Sequence, residues 1–385
     1  MPVEAVATPT GTTTMEITVS KFELLRELTA TQGVVERKTT IPILSNYLFE
    51  AAGDKLSLTA TDLDLSLRTS CNAKVKKEGS CTIPARKLHD YVKLLPDADI
   101  TIKLLENHWV SIRCGRSNTK MVGMAKSNFP SLPGFPTAGV VKIPAAVLRA
   151  MIAKTTFAIA NEESRYTLNG ALMVLKPESI TMVATDGHRL AHIERSGEKF
   201  EGVSGEMKTL VPKKAMDEIK SLLDSTEVET IEFAKDESTL YFRIGPRLLT
   251  SRQLTGQFPN YEAVLPKDNN KSITVNCEDL TAAIQRVAQF ADERSRAVRM
   301  RMEKGELKLS ASSTETGESE DSLETNYNGD SVTIGFNAQY LLDFLKATGS
   351  GEVRLEFKDA QSAGQLRPGE GDDYKYRYIV MPMRI

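Results

Sequence analysis

The sequence predicts an α+β fold built from three tandem copies of one module, and three observations predict it. A strand-to-turn mark recurs as Leu58-Thr59-Ala60-Thr61-Asp62, Met182-Val183-Ala184-Thr185-Asp186 and Leu309-Ser310-Ala311-Ser312-Ser313. The copies lie about 125 residues apart, and self-similarity at a fixed period signals repeated domains. Upstream of each mark an alternating strand meets a helix-start residue: Ile17-Thr18-Val19 before Ser20, Val141-Lys142-Ile143 before Pro144, and Ile273-Thr274-Val275 before Asn276. Such residues start helices through a capping oxygen or a preset φ. Downstream the same grammar returns at Ile83-Pro84-Ala85, Val211-Pro212-Lys213 and Phe336-Asn337-Ala338. Each module therefore reads as two halves of strand, helix and further strands.

Taken in order, residues 1–14, with Pro2, Pro9, Gly11 and a Thr run, lack apolar periodicity and read as a disordered tail. The first domain is expected over 15–136. Its first helix spans Ser20 to Gln32, pairing begins near Ile41-Pro42-Ile43-Leu44, and strands follow at Tyr47 to Glu50, Leu56 to Ala60 and Ser66 to Cys71. The second helix, Ala85 to Leu95, puts Leu88, Tyr91, Val92 and Leu95 on one stripe that needs a sheet to cover it. Strands at Ile100 to Leu105, Trp109 to Cys114 and Lys120 to Ala125 complete it, and the Pro-rich run from Phe129 to Pro136 is a linker.

The second domain, 137–260, repeats this. Leu148, Met151, Ile152 and Thr155 stripe one helix and Met216, Ile219 and Leu223 the other, and a second Phe-Pro joint begins at Phe258. The third, 261–385, has helices at Glu278 to Ala291 and Asn337 to Ala347, with hairpin loops expected at Ser312 to Thr325 and Gly364 to Asp373. It ends in the apolar strand that begins at Tyr378.

Composition bounds the function. An apolar content of 41% with 26% charged residues is that of a globular protein, and no run approaches a membrane span. The cytoplasm is the expected location. Cys71, Cys81, Cys114 and Cys277 form no Cys-x-x-Cys pair, which suggests neither disulfides nor zinc. The net charge of −2 argues against a globally basic nucleic-acid binder. The six expected helices nevertheless carry 12 Lys and Arg against 9 Asp and Glu, a slight basic lean on what could be one common surface.

Few residues suggest chemistry. His188 and His192 are four apart, but on a strand pattern broken by Gly187 they do not make a helical metal pair. Asp186 beside His188 could serve acid–base work, yet no nucleophile elbow or triad context accompanies it. No phosphate-loop or Rossmann fingerprint is present, so no cofactor or metal is expected. Thr185 to Leu190 together with Met381-Pro382-Met383-Arg384 could instead shape an exposed apolar groove, since methionines suit adaptable peptide-binding surfaces. From the residues alone a plain core strand remains open as the alternative.

The repeat, Thr185-Asp186-Gly187-His188-Arg189-Leu190, Arg165-Tyr166-Thr167-Leu168-Asn169-Gly170, Phe258-Pro259-Asn260-Tyr261 and the ending Val380-Met381-Pro382-Met383-Arg384 together resemble the bacterial DNA polymerase III beta subunit family, the replicative sliding clamps. The likeness runs from Met15 to Ile385. It implies three DNA-clamp domains per chain, each of two helix-plus-sheet halves, and a head-to-tail homodimeric ring with helices lining the hole and sheets outside. Such a ring encircles double-stranded DNA without regard to sequence, tethers the replicative polymerase and catalyses nothing itself.

By matched position the resemblance assigns DNA contact to Lys38, Arg86, Tyr166 and Thr167, with Lys38 where an arginine is usual and Thr167 where an aromatic can occur. Glu162 falls at a polar DNA-contacting position, where a carboxylate would repel phosphate. The implied partner-peptide pocket comprises Arg165, Leu168, Thr185, Gly187, His188, Arg189, Leu190, Pro259, Val264, Asn337, Tyr340, Ile379, Met381, Pro382, Met383 and Arg384. Ala263 replaces a basic residue often seen there, and the loop at 361–363 diverges. Phe290 is assigned to the intersubunit contact. Implied partners are the DNA polymerase III catalytic subunit, the clamp loader, and other polymerases and repair proteins, bound through short linear peptides. The rival readings are an enzyme acting at Asp186 and His188, and a peptide-binding scaffold that never meets DNA.

Overall fold

The computed structural model describes residues 15–36, 39–161, 166–369 and 373–384, so the expected tail, Lys38, Glu162 and Arg165 lie outside the described residues. No described helix is long and apolar enough to cross a membrane. The chain forms two compact units, one of residues up to 140 with 221–252, the other of 141–220 with 253–385.

A single pattern of strand, helix and three strands recurs six times. It runs first as β1 (Glu16–Ser20), α1 (Lys21–Ala30), β2 (Asn46–Ala52), β3 (Lys55–Thr61) and β4 (Leu65–Asn72). After an added strand, β5 (Lys74–Lys77), it runs as β6 (Gly79–Pro84), α2 (Ala85–Leu94), β7 (Asp99–Leu104), β8 (Trp109–Cys114) and β9 (Ser117–Val122). The third copy is β10 (Val141–Pro144), α3 (Ala145–Thr155), β11 (Gly170–Lys176), β12 (Ser179–Thr185) and β13 (Arg189–Ser196). The fourth is β14 (Met207–Pro212), α4 (Lys213–Ser225), β15 (Thr230–Lys235), β16 (Thr239–Ile244) and β17 (Arg247–Arg252). The fifth is β18 (Lys271–Asn276), α5 (Cys277–Ala288), β19 (Ala297–Glu303), β20 (Glu306–Ser313) and β21 (Gly317–Glu324). The sixth is β22 (Val332–Asn337), α6 (Ala338–Thr348), β23 (Glu352–Phe357), β24 (Gly364–Pro368) and β25 (Lys375–Val380).

Halves exchange their leading strands. In the first unit β1 pairs with β7 of the meander β7-β8-β9, and β6 with β2 of β2-β3-β4. In the second unit β14 joins β11-β12-β13, β22 joins β19-β20-β21 and β18 joins β23-β24-β25. Meanders also meet each other. β17 pairs with β4 through Leu248↔Arg68 to Ser251↔Leu65, and β13 with β25 through Arg189↔Val380 to Glu194↔Lys375. The two eight-stranded sheets thus run on across the joints between expected domains.

The helices cover these sheets as their stripes require. On α2, Leu88 and Val92 are buried while Arg86, Lys87 and Lys93 stay in water. Each buried aliphatic side chain contributes about 1.5–3 kcal/mol. On α4, Met216, Ile219 and Leu223 are buried, as their spacing predicts. Helix starts differ in mechanism. Asn276 accepts hydrogen bonds from the Glu278 and Asp279 amides, whereas Ser20 makes no side-chain cap and Pro144 supplies only its φ of −57°.

Four sequence expectations are corrected. Ser312 to Thr325 is not a loop, because β21 pairs with β20 from Glu306↔Glu324 to Ser313↔Gly317. Gly364 to Asp373 likewise contains β24, paired with β23 and β25. Residues Pro42–Ser45 form a 3₁₀ turn rather than the start of a strand, since Pro42 fixes φ and has no N–H for a ladder. The last strand of the first domain ends at Val122, and Gly123 beyond it passes so close to β6 that an added Cβ would lie 1.9 Å from the Thr82 carbonyl oxygen.

The first unit contains a fully buried charge. Glu27 on α1 receives the Arg247 Nε at 3.0 Å, the Thr69 hydroxyl at 2.6 Å and the Arg26 Nε at 2.7 Å. Burial alone would raise its carboxyl; the donors from Arg247, Thr69 and Arg26 outweigh that and hold it below the ordinary value of 4.5. A depressed carboxyl stabilises above its unfolded-state pKa, and the contribution is lost as pH falls through the folded value. Replacing Arg247→Met should cost about 3–5 kcal/mol, by stranding a buried charge. In urea unfolding at pH 7 the first unit should melt earlier in the variant, with the difference shrinking below pH 4.5; equal midpoints at pH 7 would contradict it.

Candidate functional site

The marked hairpin between β12 and β13 is shaped by its own side chains. The Thr185 hydroxyl donates to the Arg189 carbonyl at 2.6 Å and accepts from the Gly187 amide at 3.1 Å. Asp186 Oδ1 accepts from the amides of His188 at 2.9 Å and Arg189 at 3.0 Å. Gly187 sits at φ 90°, a region an L side chain adopts only with strain. The same turn recurs atom for atom at the first mark. There Thr61 donates to the Leu65 carbonyl at 3.0 Å, and Asp62 Oδ1 accepts from the Asp64 and Leu65 amides at 3.0 and 2.6 Å. Leu63 takes the glycine's place at φ 82°. The repeat is therefore one of hydrogen bonding as well as of letters.

On one face of this sheet Leu172, Val174, Val183, Leu190, Leu210 and Ile379 form a buried apolar floor. Leu254, Phe258, Tyr261 and Leu265, from the second Phe-Pro joint, pack against it. Between them lies a cavity of about 130 Å³ lined by Leu168, Thr185, Gly187, His188, Arg189, Leu190, Pro259, Tyr261, Val264, Ile379 and Met381. Its walls are almost wholly apolar, and Val264 and Met381 stand exposed at 37% and 42% on its rim. The final strand is tied in by the Met381 amide donating to the His188 carbonyl at 2.9 Å and the Met383 amide to the Gly335 carbonyl at 2.8 Å. Such a cleft suits one or two aliphatic side chains of an extended segment.

Ten of the expected pocket residues converge here, from Leu168 to Met381. Asn337, Tyr340, Pro382, Met383 and Arg384 do not line the cavity, and Arg165 lies outside the described residues. The Asn337 side-chain Oδ1 is committed to capping α6, accepting from the Gln339 and Tyr340 amides. Tyr340 instead stacks its ring 4.3 Å from the Arg189 guanidinium. Sequence reasoning did not assign Tyr261, although the Phe-Pro-Asn-Tyr motif contains it. Tyr261 lines the cavity and covers His192, ring centroids 5.6 Å apart. His192 is only 6% exposed, and burial followed by the Arg377 charge lowers its pKa, so it is neutral at pH 7. The described residues hold no cluster of three or more potential metal ligands, and His188 and His192 sit on a turn and a strand.

Arg189 shows the strongest electrostatics of the site. Its Nε donates to Asp186 at 3.0 Å, Nη1 to Asp343 at 2.6 Å and Nη2 to the Phe157 carbonyl at 2.6 Å. Burial works against its charge, and Tyr378, Asp343 and Asp186 more than offset that, so its pKa is raised.

Of the residues expected at DNA, the three described are exposed or half-exposed. Arg86 stands in water on α2; Tyr166 is 54% exposed in a 3₁₀ turn, with Thr167 half-buried beside it. Phe290 is half-buried, its ring 4.0 Å from the Cβ position of Gly317 at the start of β21.

Family models match the chain nearly end to end: the DNA polymerase III beta subunit N-terminal domain over residues 15–133, central domain over 142–260 and C-terminal domain over 262–384. A beta sliding clamp of Caulobacter vibrioides (strain NA1000 / CB15N) is 35% identical over 377 residues, 96% of this chain and 100% of that protein. The crystal structure of a sliding clamp (DNA polymerase III subunit beta) from Pseudomonas aeruginosa bound to griselimycin superposes with a TM-score of 0.89 at 34% identity, covering 96% of this chain and 100% of that one. One from Bartonella birtlesii, also bound to griselimycin, gives 0.90 at 33% identity, covering 97% and 100%.

The hairpin caps carry a measurable share of the site's stability. Asp186→Ala removes the acceptor for two amides and a guanidinium and should cost about 1–3 kcal/mol. Thermal unfolding of the second unit should shift down accordingly; an unchanged transition would show that the turn holds without its aspartate.

Proposed function

We propose a role for each surface of this chain from one premise: it belongs to the DNA polymerase III beta subunit family, the bacterial sliding clamps. It is a processivity clamp that encircles duplex DNA and holds the polymerase to it, and it catalyses no reaction of its own. The observation that carries this is the run of three consecutive family models from residue 15 to residue 384.

The working form is a head-to-tail homodimer closed into a ring. β9 and β21 each end a sheet, and open edges of this kind invite pairing with another chain. Charge favours β9 of one copy meeting β21 of the other. The outward row of β21 is Glu318, Glu320, Ser322 and Glu324; that of β9 is Asn118, Lys120 and Val122, beside Arg113 on β8. Half-buried Met121, Leu323 and Phe290 would complete their burial there. Two copies of a three-domain chain then make a circle of six domains, a closed heterologous assembly.

The helices are proposed to line the hole, with Arg86, Tyr166, Thr167 and Lys38 facing the phosphates. A faint positive lining is what sliding needs, because every added phosphate contact strengthens a sequence-independent attraction and slows translocation. The hairpin cavity is the proposed landing place for short linear peptides of polymerases, the clamp loader and repair proteins, and for griselimycin. Burying one leucine contributes about 1.5–3 kcal/mol, so micromolar binding is expected and partners exchange. The cytoplasm is the proposed location.

Light scattering should report twice the 42.4 kDa chain mass. Removing Met381 to Ile385 should abolish polymerase stimulation while that dimer persists. A monomer would remove the ring, and undiminished stimulation would show that partners land elsewhere.

A further inference from the structure

On the reading of the hairpin cavity as the peptide groove, we propose that Asp343 on α6 is a positioning residue for bound peptides, acting through Arg189 without touching the ligand itself. The two copies of the turn separate what the turn does from what its surroundings do. Both Thr61–Leu65 and Thr185–Arg189 are closed by the same threonine and aspartate hydrogen bonds. Only the second carries a guanidinium, since Leu65 stands at the Arg189 position. The turn therefore forms without the arginine, and the arginine has a different task.

That task is visible in its partners. Asp186 belongs to the turn itself, the Phe157 carbonyl to the 3₁₀ turn after α3, and Asp343 to α6 in the third module. Asp343 is the one carboxylate among them that comes from outside the turn, and its contact, at 2.6 Å, is charge-assisted. Its other oxygen is held by Gln339 Nε2 at 2.8 Å, so the acceptor is itself oriented. The guanidinium plane then packs under the Tyr340 ring at 4.3 Å, and Tyr378 donates to the Tyr340 carbonyl at 2.9 Å. Asp343 does not line the cavity, whereas Arg189 does. Without Asp343 the Arg189 side chain loses its one charged partner from outside the turn, keeping Asp186, the Phe157 carbonyl and its aromatic contacts. The groove wall made by Gly187, His188 and Arg189 is then no longer fixed to the helix behind it, and a ligand must order that wall on binding. Preorganisation of this kind shows in affinity and off-rate.

The test is calorimetric titration of the full-length dimer with griselimycin, for the natural protein and for Asp343→Asn, Asp343→Ala and Asp343→Glu. Asp343→Asn and Asp343→Ala should weaken binding about tenfold or more, the loss of a hydrogen bond to a charged group. Asp343→Glu, which restores the carboxylate, should recover most of the affinity. Variants that melt earlier yet bind as tightly as the natural protein would overturn the proposal by showing a purely structural ion pair, as would equal affinity across the series. Failure of the natural protein to bind griselimycin would instead sink the groove reading, and this proposal with it.

Discussion

A β-sheet leaves a row of unsatisfied N–H and C=O groups along each edge, and the need to satisfy them governs how this chain is assembled. Each half-module makes a three-stranded meander with a leading strand to give away. Within a domain that strand caps the meander of the other half, as β6 does for β2 and β22 for β19. Between domains two meanders meet directly, at β17 with β4 and at β13 with β25. The two joints even share their last hydrogen bond: the Arg252 amide to the Asp64 carbonyl at 2.8 Å, and the Met381 amide to the His188 carbonyl at 2.9 Å. β9 and β21 are among the strands left at sheet ends, and the proposed dimer would pair these two.

The groove is a by-product of the same arrangement. Where β25 meets β13, the segment after β25 runs past the β12–β13 turn, and a cavity remains above Leu190 and Ile379. At the equivalent joint of the first unit, residues beyond Arg252 continue into the rest of the chain and Leu63 replaces Gly187. The same turn geometry thus borders an apolar cavity at the second joint. The two turns differ by a glycine and an arginine, Gly187 and Arg189 against Leu63 and Leu65, rather than by a new fold.

Much of this was legible in the residues. The threonine and aspartate of the first two marks close their turns, so there a letter-level repeat carried a structural one. Helix stripes such as Leu88 and Val92 announced their buried faces. β21 was misread because its inward row, Ser319, Asp321 and Leu323, holds one large apolar residue, and an edge strand awaiting a partner shows no period-two signal. β24 fails in the same way, with Leu366 as its one bulky apolar side chain. Asp343 was invisible for another reason: an acid on the polar side of an amphipathic helix looks solvated until the fold brings Arg189 against it.

If the chain works by enclosing DNA, its attachment must depend on the DNA's ends and not on its sequence. The direct measurement is retention of the loaded protein on a nicked circular plasmid before and after one restriction cut. Stable retention on the circle with rapid loss from the linear product, prevented by bulky blocks at both ends, is the expected result. Equal retention on open-ended linear DNA would mean that the protein grips the duplex by contact, and the closed ring would have to be abandoned.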